Sequence, residues 1–326
     1  SPPSKSSVQK QKDFSTENTE IGTIHLRIGI SIASHYQTED VRGGAQQMIE
    51  RARSAQTAAL DSLFVGDHHV VPTPYYQNTP MLGRLLAEWG NKPAGALFLL
   101  PLWNPILVAE QVATLASIHP GRFILQCGLG TGRHQFKAMG ADIRFRPSAL
   151  EQSISTLRSL WNGETASLDG RWKFQNAGIS PLPPEPIDIW IGASAEIAIE
   201  RAAKLGDAWL ADPSMILEEA KSSMATYQSA LHKHGKPTPT TIAIRKDIYV
   251  AEDLADADRI RSQVAMDGYR GFNPEALIIG NAVQVAEEFL VLGELGYTDI
   301  IVRNLHSDQS KALASTERLA EVKTYL

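Results

Sequence analysis

The sequence predicts a single-domain α/β fold, a (β/α)₈ TIM barrel with insertions. Short runs rich in Ile, Val, Leu and Phe alternate with longer helical patterns from Leu26 onward, which is typical of repeated βα units and a parallel sheet. There are eight such runs, the number of strands that closes this barrel. A chain of 326 residues is also within the usual length of a single barrel.

The eight predicted strands are spread over almost the whole chain. They are residues 26–32, 62–67, 95–101, 122–128, 187–192, 207–211, 242–251 and 298–304. A two-domain dinucleotide-binding fold is the alternative. It is disfavoured because no strand leads into G-x-G-x-x-G with an acidic residue about 20 positions later.

The segments between these strands carry helix start signals. Asn104 stands directly before Pro105, which fits the first turn of a helix because proline lacks an N–H. Ser148 with Glu151, and Asn281 with Gln284, have the spacing of capping boxes. Each signal precedes a pattern with one apolar face, as the outer helices of a barrel require.

The predicted domain boundaries follow from composition. Residues 1–22 are polar and lack apolar periodicity, which predicts a disordered tail. Residues 23–326 form the predicted barrel domain. Residues 163–186 break the pattern with turn residues and a proline cluster, and we interpret them as an insertion between the fourth and fifth strands.

Charge and cysteine content narrow the function classes. The net charge is -5 and the pI about 6.0, so the chain lacks the basic surface expected of a nucleic-acid-binding protein. The single cysteine, Cys127, excludes an intramolecular disulfide, and the longest apolar run, residues 94–102, is too short to cross a membrane. We therefore expect a cytoplasmic protein that acts on small molecules, with no nucleic-acid or membrane partner.

Residues at the carboxyl ends of the strands are the candidates for function, because barrel active sites lie there. The second strand is followed by His68 and His69. Adjacent residues on a strand point to opposite faces, so the pair is poorly placed to chelate one ion, and we predict no metal site. One imidazole is expected to face the barrel mouth and exchange a proton there. A structural histidine bound to backbone groups is the alternative.

Later strand ends supply candidates for ligand binding. The backbone from Ala96 to Phe98 and the ring of Trp103 are expected to form an apolar wall, unless they are only buried packing. Three alternating glycines in GLGTG allow a ligand to approach the backbone, and Arg133 follows them. The same motif is also common as a plain turn.

The fifth strand ends at small residues directly before a helix. Gly192, Ala193 and Ser194 expose N–H groups at the positive end of the helix dipole, where a phosphate binds readily. Ser194 acting only as a helix cap is the alternative. Arg245, Lys246 and Arg303, near the ends of late strands, are candidates for holding an anionic substrate, although solvated surface charge is the alternative for them.

Five segments in order resemble the bacterial luciferase-like flavin-dependent oxidoreductase superfamily. They span roughly residues 26 to 303 and read DSLFVGDHH, LLPLWNPILVAEQVATLASIHPGRFILQCGLGTG, RPSALEQSISTLRSLWNG, IDIWIGASAEIAIERAAKLGDAWLA and IIGNAVQVAEEFLVLGELGYTDIIV. The resemblance implies a (β/α)₈ barrel with an insertion between the fourth and fifth strands, and a homodimer. It also implies one of two cofactors. The first is reduced FMN, which a partner flavin reductase supplies and which reacts with O₂. The second is the deazaflavin F420, which transfers hydride.

The resemblance implies roles for particular residues. His68 corresponds to the active-site histidine, and Ala96, Leu97 and Phe98 to a bulged, often cis, peptide against the cofactor ring. The Gly192–Ser194 turn corresponds to the phosphate site, assisted by Gly130, Thr131 and Arg133. Arg133 stands where the F420-dependent sugar-phosphate dehydrogenases have a catalytic glutamate. Cys127 is offset by one residue from the reactive cysteine of luciferases, so we interpret it as a core residue.

The predicted function is therefore a two-component monooxygenase that uses reduced FMN and O₂ on a small organic substrate. The alternatives are an F420-dependent dehydrogenase or reductase, a non-catalytic flavin-binding protein and, more distantly, a barrel hydrolase that uses Asp67 and His68. The residues predicted to contact substrate are His69, Tyr75, Tyr76, Trp103, Arg245 and Arg303.

Overall fold

A computed structural model describes residues 25–326, so the predicted tail of residues 1–22 lies outside the described residues. The strands of the described chain are β1 (Arg27–Ile32), β2 (Ser62–Val65), β3 (Ala94–Phe98), β4 (Phe123–Cys127), β5 (Ala166–Asp169), β6 (Lys173–Ala177), β7 (Asp188–Ala193), β8 (Ala208–Ala211), β9 (Ala243–Val250), β10 (Ile278–Gly280) and β11 (Asp299–Asn304). The α-helices are α1 (Val41–Thr57), α2 (Asn78–Trp89), α3 (Pro105–Ile118), α4 (Arg133–Ala138), α5 (Arg146–Trp161), α6 (Glu196–Leu205), α7 (Leu217–Lys233), α8 (Leu254–Asp267), α9 (Ala282–Glu294), α10 (Gln309–Glu317) and α11 (Leu319–Val322).

Eight parallel strands close into a barrel, which confirms the predicted fold class. Around the barrel the order is β1, β2, β3, β4, β7, β8, β9 and β11, and β11 pairs with β1 to complete the circle. These eight strands are the eight that the apolar runs predicted, with bounds that differ by a few residues at most ends. Their carboxyl ends therefore meet at one mouth.

Alternation along the strands divides the core into two parts. One set of strand side chains packs between the barrel and the surrounding helices, and Cys127 belongs to it, confirming its prediction as a core residue. The other set fills the barrel lumen and includes Phe64, Ile124, Trp190 and Ile301. Phe64 and Trp190 touch across the lumen with ring centroids 5.4 Å apart. The lower lumen is therefore solid, as in other barrels of this class.

Three strands lie outside the predicted set. β5 and β6 pair antiparallel within the segment predicted as an insertion, and β10 adds to β9 beside the barrel. The strands of this hairpin alternate between exposed and half-buried residues, and β10 is only three residues long. Neither pattern produces the apolar run by which a buried strand is recognised in sequence.

The helix caps follow the sequence signals at two of three positions. Asn104 accepts a hydrogen bond from the Ile106 N–H, and Asn281 forms a complete capping box with Gln284. The capping box predicted at Ser148 is wrong, because α5 begins earlier, at Arg146, and the Ser148 hydroxyl donates to the Phe145 carbonyl. Pro147 explains the earlier start, since proline is favoured in a first helical turn.

The packing of β3 against β4 generates a stability prediction. A Cβ added at Gly95 would lie 1.9 Å from the Ile124 carbonyl oxygen, a backbone atom that cannot move aside. Gly95→Ala is expected to lower the free energy of unfolding by about 3 kcal/mol or more, measured by urea denaturation. The control, Gly83→Ala on α2, places its Cβ 3.6 Å from Leu115 and should raise that free energy by about 0.5–1 kcal/mol. Equal effects of the two substitutions would contradict this packing.

Candidate functional site

A cavity of about 320 Å³ opens at the carboxyl ends of the barrel strands. Its size falls in the range of small-molecule sites. The residues that line it include Leu97, Leu99, Gly128, Leu129, Gly130, Thr131, Arg146, Gly192, Ala193, Ser194, Leu210, Asp212 and Arg245. Larger concavities occur elsewhere, such as one of about 730 Å³ beside α7, α8 and α9. We place the candidate site at the mouth because barrel strands present their loops there.

The turn after β7 forms one end of this cavity. Gly192, Ala193 and Ser194, the residues predicted to form a phosphate site, all line it. The helix cap of α6 is Ala195, not Ser194, and no side chain caps this end. The Ala198 N–H donates to the Ala195 carbonyl, so the N–H groups of Glu196 and Ile197 are those that remain available at the positive end of the helix dipole.

The arginine that lines this cavity beside the glycine-rich loop is Arg146 rather than Arg133. Arg146 lines the cavity and donates from Nη1 to the Gly130 carbonyl over 2.7 Å. Arg133 is exposed at the start of α4 and is not among the lining residues. The glycine-rich loop turns sharply at Gly130, whose φ is 74°, and this turn brings the loop carbonyl to Arg146.

The three predicted strand residues Ala96, Leu97 and Phe98 differ in whether they reach the cavity. Leu97 lines the cavity, whereas Ala96 and Phe98 are fully buried among the residues that pack against the helices. The expected bulged or cis peptide is absent here: β3 pairs with β4 without interruption, and the only cis bond in residues 25–326 is Ser180–Pro181. The carbonyl of Leu97 is instead held by Asn78, whose buried side chain donates to it over 2.8 Å.

Asp67 connects the end of β2 to the end of β3. Its Oδ2 accepts hydrogen bonds from the Leu99 N–H and from Trp103 Nε1, both at 2.8 Å. Its Oδ1 lies 3.1 Å from His69 Nε2, and the His69 ring packs on Trp103. His69 and Trp103 were both predicted to contact substrate. In the structure their side chains surround the Asp67 carboxylate and contact it.

The His69 backbone is tied to the glycine-rich loop. Its N–H donates to Gln135 Oε1 over 2.7 Å, and Gln135 Nε2 donates in turn to the Thr131 carbonyl. The next residue, Val70, has a φ of 55°, which is a strained conformation for a β-branched side chain. Strain of this kind persists only where surrounding contacts impose it, and it is concentrated at functional sites.

His68 is exposed, unlike His69, and packs on the Tyr75 ring with centroids 5.9 Å apart. Partial burial disfavours the charged imidazole and lowers the pKa of His68 below its usual 6.5. Burial likewise raises the pKa of Tyr75 to about 12, so its hydroxyl is a proton donor at neutral pH. A Cβ added at Gly66 would lie 2.9 Å from that hydroxyl, so glycine leaves room for Tyr75 at the end of β2.

Two other candidate substrate-binding residues, Tyr76 and Lys246, make their hydrogen bonds away from the barrel mouth. The Tyr76 hydroxyl donates to the Val41 carbonyl over 2.6 Å, so this ring anchors its loop to α1. Lys246 lies on the outer side of β9, where its ammonium donates to the Met215 and Ala276 carbonyls. The alternation of β9 explains this placement, because Arg245 and Lys246 must face opposite sides of the strand.

Arg245 and Arg303 do reach the mouth. Arg245 lines the cavity, and both arginines act electrostatically on the buried carboxylate of Asp247. Asp247 also accepts hydrogen bonds from Tyr269 and Arg270, which belong to the loop after α8.

Sequence reasoning missed several residues that build this site. They are Asn78, Gln135, Arg146, Asp247, Tyr269 and Arg270, together with the bridging role of Asp67. The position of Asp67 at a strand end was a usable signal, and so was that of Asp247, two residues after Arg245 on one strand face. The other residues lie on helices or in loops without a recognisable motif.

No group of three or more His, Cys, Asp or Glu side chains within residues 25–326 is placed to hold a metal ion. In the same range no helix has the length and apolar character needed to span a membrane.

Comparison with known protein families identifies the superfamily. The family described as luciferase-like monooxygenase matches residues 26–290, which is most of the chain. The chain belongs to this family. The luciferase-like assignment agrees with the resemblance carried by the five segments, and it places the protein in an oxidoreductase family.

Sequence relatives of this luciferase-like chain include F420-dependent dehydrogenases. An F420-dependent glucose-6-phosphate dehydrogenase of Nakamurella multipartita is 27% identical over 185 residues, which is 54% of each chain. An F420-dependent hydroxymycolic acid dehydrogenase of Mycobacterium tuberculosis is 29% identical over 225 residues, covering 65% of this chain and 61% of that protein. The chain thus spans little more than half the length of the curated relatives it matches.

Solved structures with the same fold include a monooxygenase and an F420-dependent dehydrogenase. The monooxygenase RslO1 from Streptomyces bottropensis superposes with a TM-score of 0.79 at 16% identity, covering 92% of this chain and all of that one. An F420-dependent secondary alcohol dehydrogenase with an F420-acetone adduct superposes with a TM-score of 0.76 at 18% identity, covering 92% and 99%. At these identities the likeness concerns the luciferase-like fold alone.

The bridging contacts of Asp67 generate a prediction. Asp67→Ala leaves the N–H groups of Leu99 and Trp103 without an acceptor, so the free energy of unfolding should fall by about 2–5 kcal/mol in urea denaturation. Asp67→Asn keeps one acceptor oxygen and should lose less. The control is Asp258→Ala, which removes an exposed carboxylate on α8 and should change stability by less than about 0.5 kcal/mol. Similar losses at both aspartates would refute the bridging role.

Proposed function

We propose that this chain is an oxidoreductase that binds the deazaflavin F420 at the barrel mouth and transfers hydride between it and a small organic substrate. The observation that carries the proposal is the juxtaposition of a phosphate-binding turn, an apolar wall and an exposed imidazole around the strand ends. The sequence relatives described above favour F420, because they are F420-dependent dehydrogenases. The sequence alone had favoured reduced FMN and O₂.

The residues of the cavity fit both the phosphate group and the flat ring system of such a cofactor. The Gly192–Ser194 turn and the uncapped end of α6 offer N–H groups to a phosphate, and Arg146 adds a positive charge beside the same cavity. Leu97, Leu99, Leu129 and Leu210 supply apolar surface of the kind that a flat ring system requires. The bound deazaflavin would supply the carbon that accepts or donates hydride.

The remaining chemistry belongs to the protein. When an alcohol is oxidised, its hydroxyl proton must leave as hydride departs from carbon, and His68 would accept that proton on a ring nitrogen. The lowered pKa of His68 suits this role because the imidazole is neutral at pH 7. Tyr75, whose hydroxyl keeps its proton, would donate a hydrogen bond to the substrate oxygen and help to exclude water.

A second candidate is the FMN-dependent monooxygenase, favoured by the fold shared with a Type II Baeyer-Villiger monooxygenase whose structure contains FMN. It requires a partner flavin reductase, whereas the F420 version does not. In both candidate functions we propose that the protein is a homodimer, and light scattering would measure this oligomeric state directly. A protein that binds a flavin without turnover is the third possibility, and it lacks any further supporting observation.

One binding experiment separates these candidates. Quenching of tryptophan fluorescence should give an affinity for F420 at least tenfold higher than for FMN, with substrate oxidation coupled to F420 reduction in the absence of O₂. Tighter binding of FMN, with substrate-dependent O₂ consumption when reduced FMN is supplied, would replace the proposal with the monooxygenase. Binding without turnover over a panel of alcohols, aldehydes and imines would favour the non-catalytic protein.

Substitution of His68 tests its assignment as proton acceptor. His68→Asn should lower turnover by about 10²–10³-fold with cofactor affinity nearly unchanged, because only proton transfer is lost. The matched control is His232→Asn, an exposed histidine on α7, which should keep full turnover. Unchanged turnover in His68→Asn would remove this residue from the mechanism.

The pH dependence gives an independent test. The folded-state pKa of His68 lies below 6.5, so the neutral form dominates at pH 7 and is lost as the pH falls through that pKa. For alcohol oxidation, kcat/KM should therefore decrease on the acid side with an apparent pKa below 6.5. The reverse reduction needs the protonated form and should accelerate over the same interval. An acid limb that persists in His68→Asn would assign the titration to another group.

A further inference from the structure

Three arginines meet one buried carboxylate at the barrel mouth. Arg245 and Asp247 face the lumen from β9, and Arg303 pairs in register with Asp247 from the neighbouring β11. Arg270 comes from the loop after α8 and donates to Asp247 Oδ2 over 2.7 Å. We call these four residues the arginine cluster.

We propose that the arginine cluster binds a doubly charged anionic group of the substrate, such as a phosphate, a phosphonate or a sulfonate. The inference rests on the proposed function in one respect: it takes the neighbouring cavity as the cofactor site. The evidence comes from the charge balance of the cluster, its unpaired polar atoms, its backbone strain and its position at the mouth.

The charge balance of the cluster favours an anion. Three guanidinium groups face one carboxylate, so two positive charges lack a counter-charge within the cluster. Asp212 is a second carboxylate that acts on Arg245, so with it counted three guanidinium groups face two carboxylates and one positive charge remains without a counter-charge. The guanidinium of Arg51 also interacts electrostatically with Arg303, and Asp308 acts on Arg51 as a counter-charge. Arg270 is exposed, but Arg245 and Arg303 have buried guanidinium nitrogens, and an uncompensated buried charge is costly, so this excess indicates a missing anion.

Unpaired atoms in the cluster point the same way. Arg245 Nε and Arg303 Nε are buried and have no hydrogen-bond partner within the described part of the chain, and neither has Asp247 Oδ1. Arg245 Nε lies 3.5 Å from Asp247 Oδ1, too far for a good hydrogen bond. Buried polar groups are almost always satisfied in native proteins, and the planar guanidinium fork matches phosphate-like oxygens. Ligand oxygens would accept hydrogen bonds from the two arginine Nε groups, whereas Asp247 Oδ1 is an acceptor and gains no partner from an anion.

Backbone strain at Arg270 is the third observation. This residue has a φ of 51°, in the left-handed region that non-glycine residues rarely adopt. Its guanidinium pairs with Asp247 and stacks on the Phe272 ring, 4.8 Å from the centroid. The strained backbone is thus held in place so that the side chain reaches the mouth, as occurs at ligand clamps.

The position of the cluster separates it from the phosphate-binding turn. That turn follows β7, whereas the cluster lies on β9 and β11, with β8 between them. Arg245 lines the cofactor cavity, and the Tyr75 hydroxyl interacts electrostatically with both Arg245 and Arg303. An anion held by the cluster would therefore direct the rest of the substrate toward Tyr75, which packs on His68.

Calorimetric titration with sulfate tests the inference, because sulfate carries two negative charges at any working pH and acetate carries one. At constant ionic strength, sulfate should bind the F420-loaded protein with one-to-one stoichiometry and at least tenfold more tightly than acetate. Arg303→Met should weaken sulfate binding at least tenfold, and Arg303→Lys should weaken it less. Arg84→Met, which removes an exposed arginine on α2, is the matched control and should bind sulfate like the wild type.

Asp247→Asn should change the sulfate affinity in the opposite direction to Arg303→Met. Removal of this carboxylate increases the positive excess, so sulfate should bind more tightly than in the wild type even if the variant is less stable. A purely structural ion network would lose stability in this variant and show no gain in sulfate affinity. That result, or equal sulfate affinities in the wild type and Arg303→Met, would overturn the inference.

The same titrations distinguish this inference from the proposed function. Sulfate binding that appears only in the cofactor-free protein and is insensitive to Arg303→Met would place the anion in the phosphate-binding turn and overturn the cluster. Arg303-dependent sulfate binding by a protein that fails to bind F420 would support the cluster and refute the proposed cofactor. Cofactor affinity should remain within about threefold of the wild type in Arg303→Met.

Discussion

Closure of the eight-strand barrel is the constraint on which the rest of the structure depends. Once β11 pairs with β1, each strand has one face toward the helices and one toward a lumen that is too narrow to stay empty. Phe64, Ile124, Trp190 and Ile301 fill its lower part. Further along the same strand faces, Gly128 and Gly192 line the cavity at the upper end, and Gly66 makes room for the Tyr75 hydroxyl. The cavity therefore results from a change in side-chain size along the strands.

Two buried aspartates at this open end serve different purposes. Asp67 is surrounded by neutral donors and by one imidazole, and its contacts hold the ends of β2 and β3 in place. Asp247 is surrounded by guanidinium groups that it only partly neutralises. Burial opposes ionisation of Asp247, but the charges of Arg245, Arg303 and Arg270 outweigh it and hold the pKa of this carboxyl below its usual range. The first carboxylate supports the site, whereas the second leaves positive charge for a ligand.

The division of labour in the proposed reaction follows from this arrangement. The cofactor would carry the redox chemistry, so the protein needs only to seat it, exclude water and move one proton. The seat uses backbone N–H groups at the start of α6 and therefore places few demands on side-chain identity. This explains why proteins with different cofactors can share this fold at low sequence identity, and why the fold alone does not select between F420 and FMN.

The sequence by itself determined the eight barrel strands, their order, and the turn after β7, because apolar runs and strand-to-helix turns are local patterns. The alternation rule also separates Arg245 from Lys246 and His68 from His69, but it does not say which of each pair faces the mouth. The tertiary structure decides which residue of each pair faces the mouth. It also places Arg146, and not Arg133, beside the cavity. It also brought Arg270 from a distant loop to Asp247. Such contacts join segments far apart in the chain, so they depend on barrel closure and loop paths that no local pattern encodes.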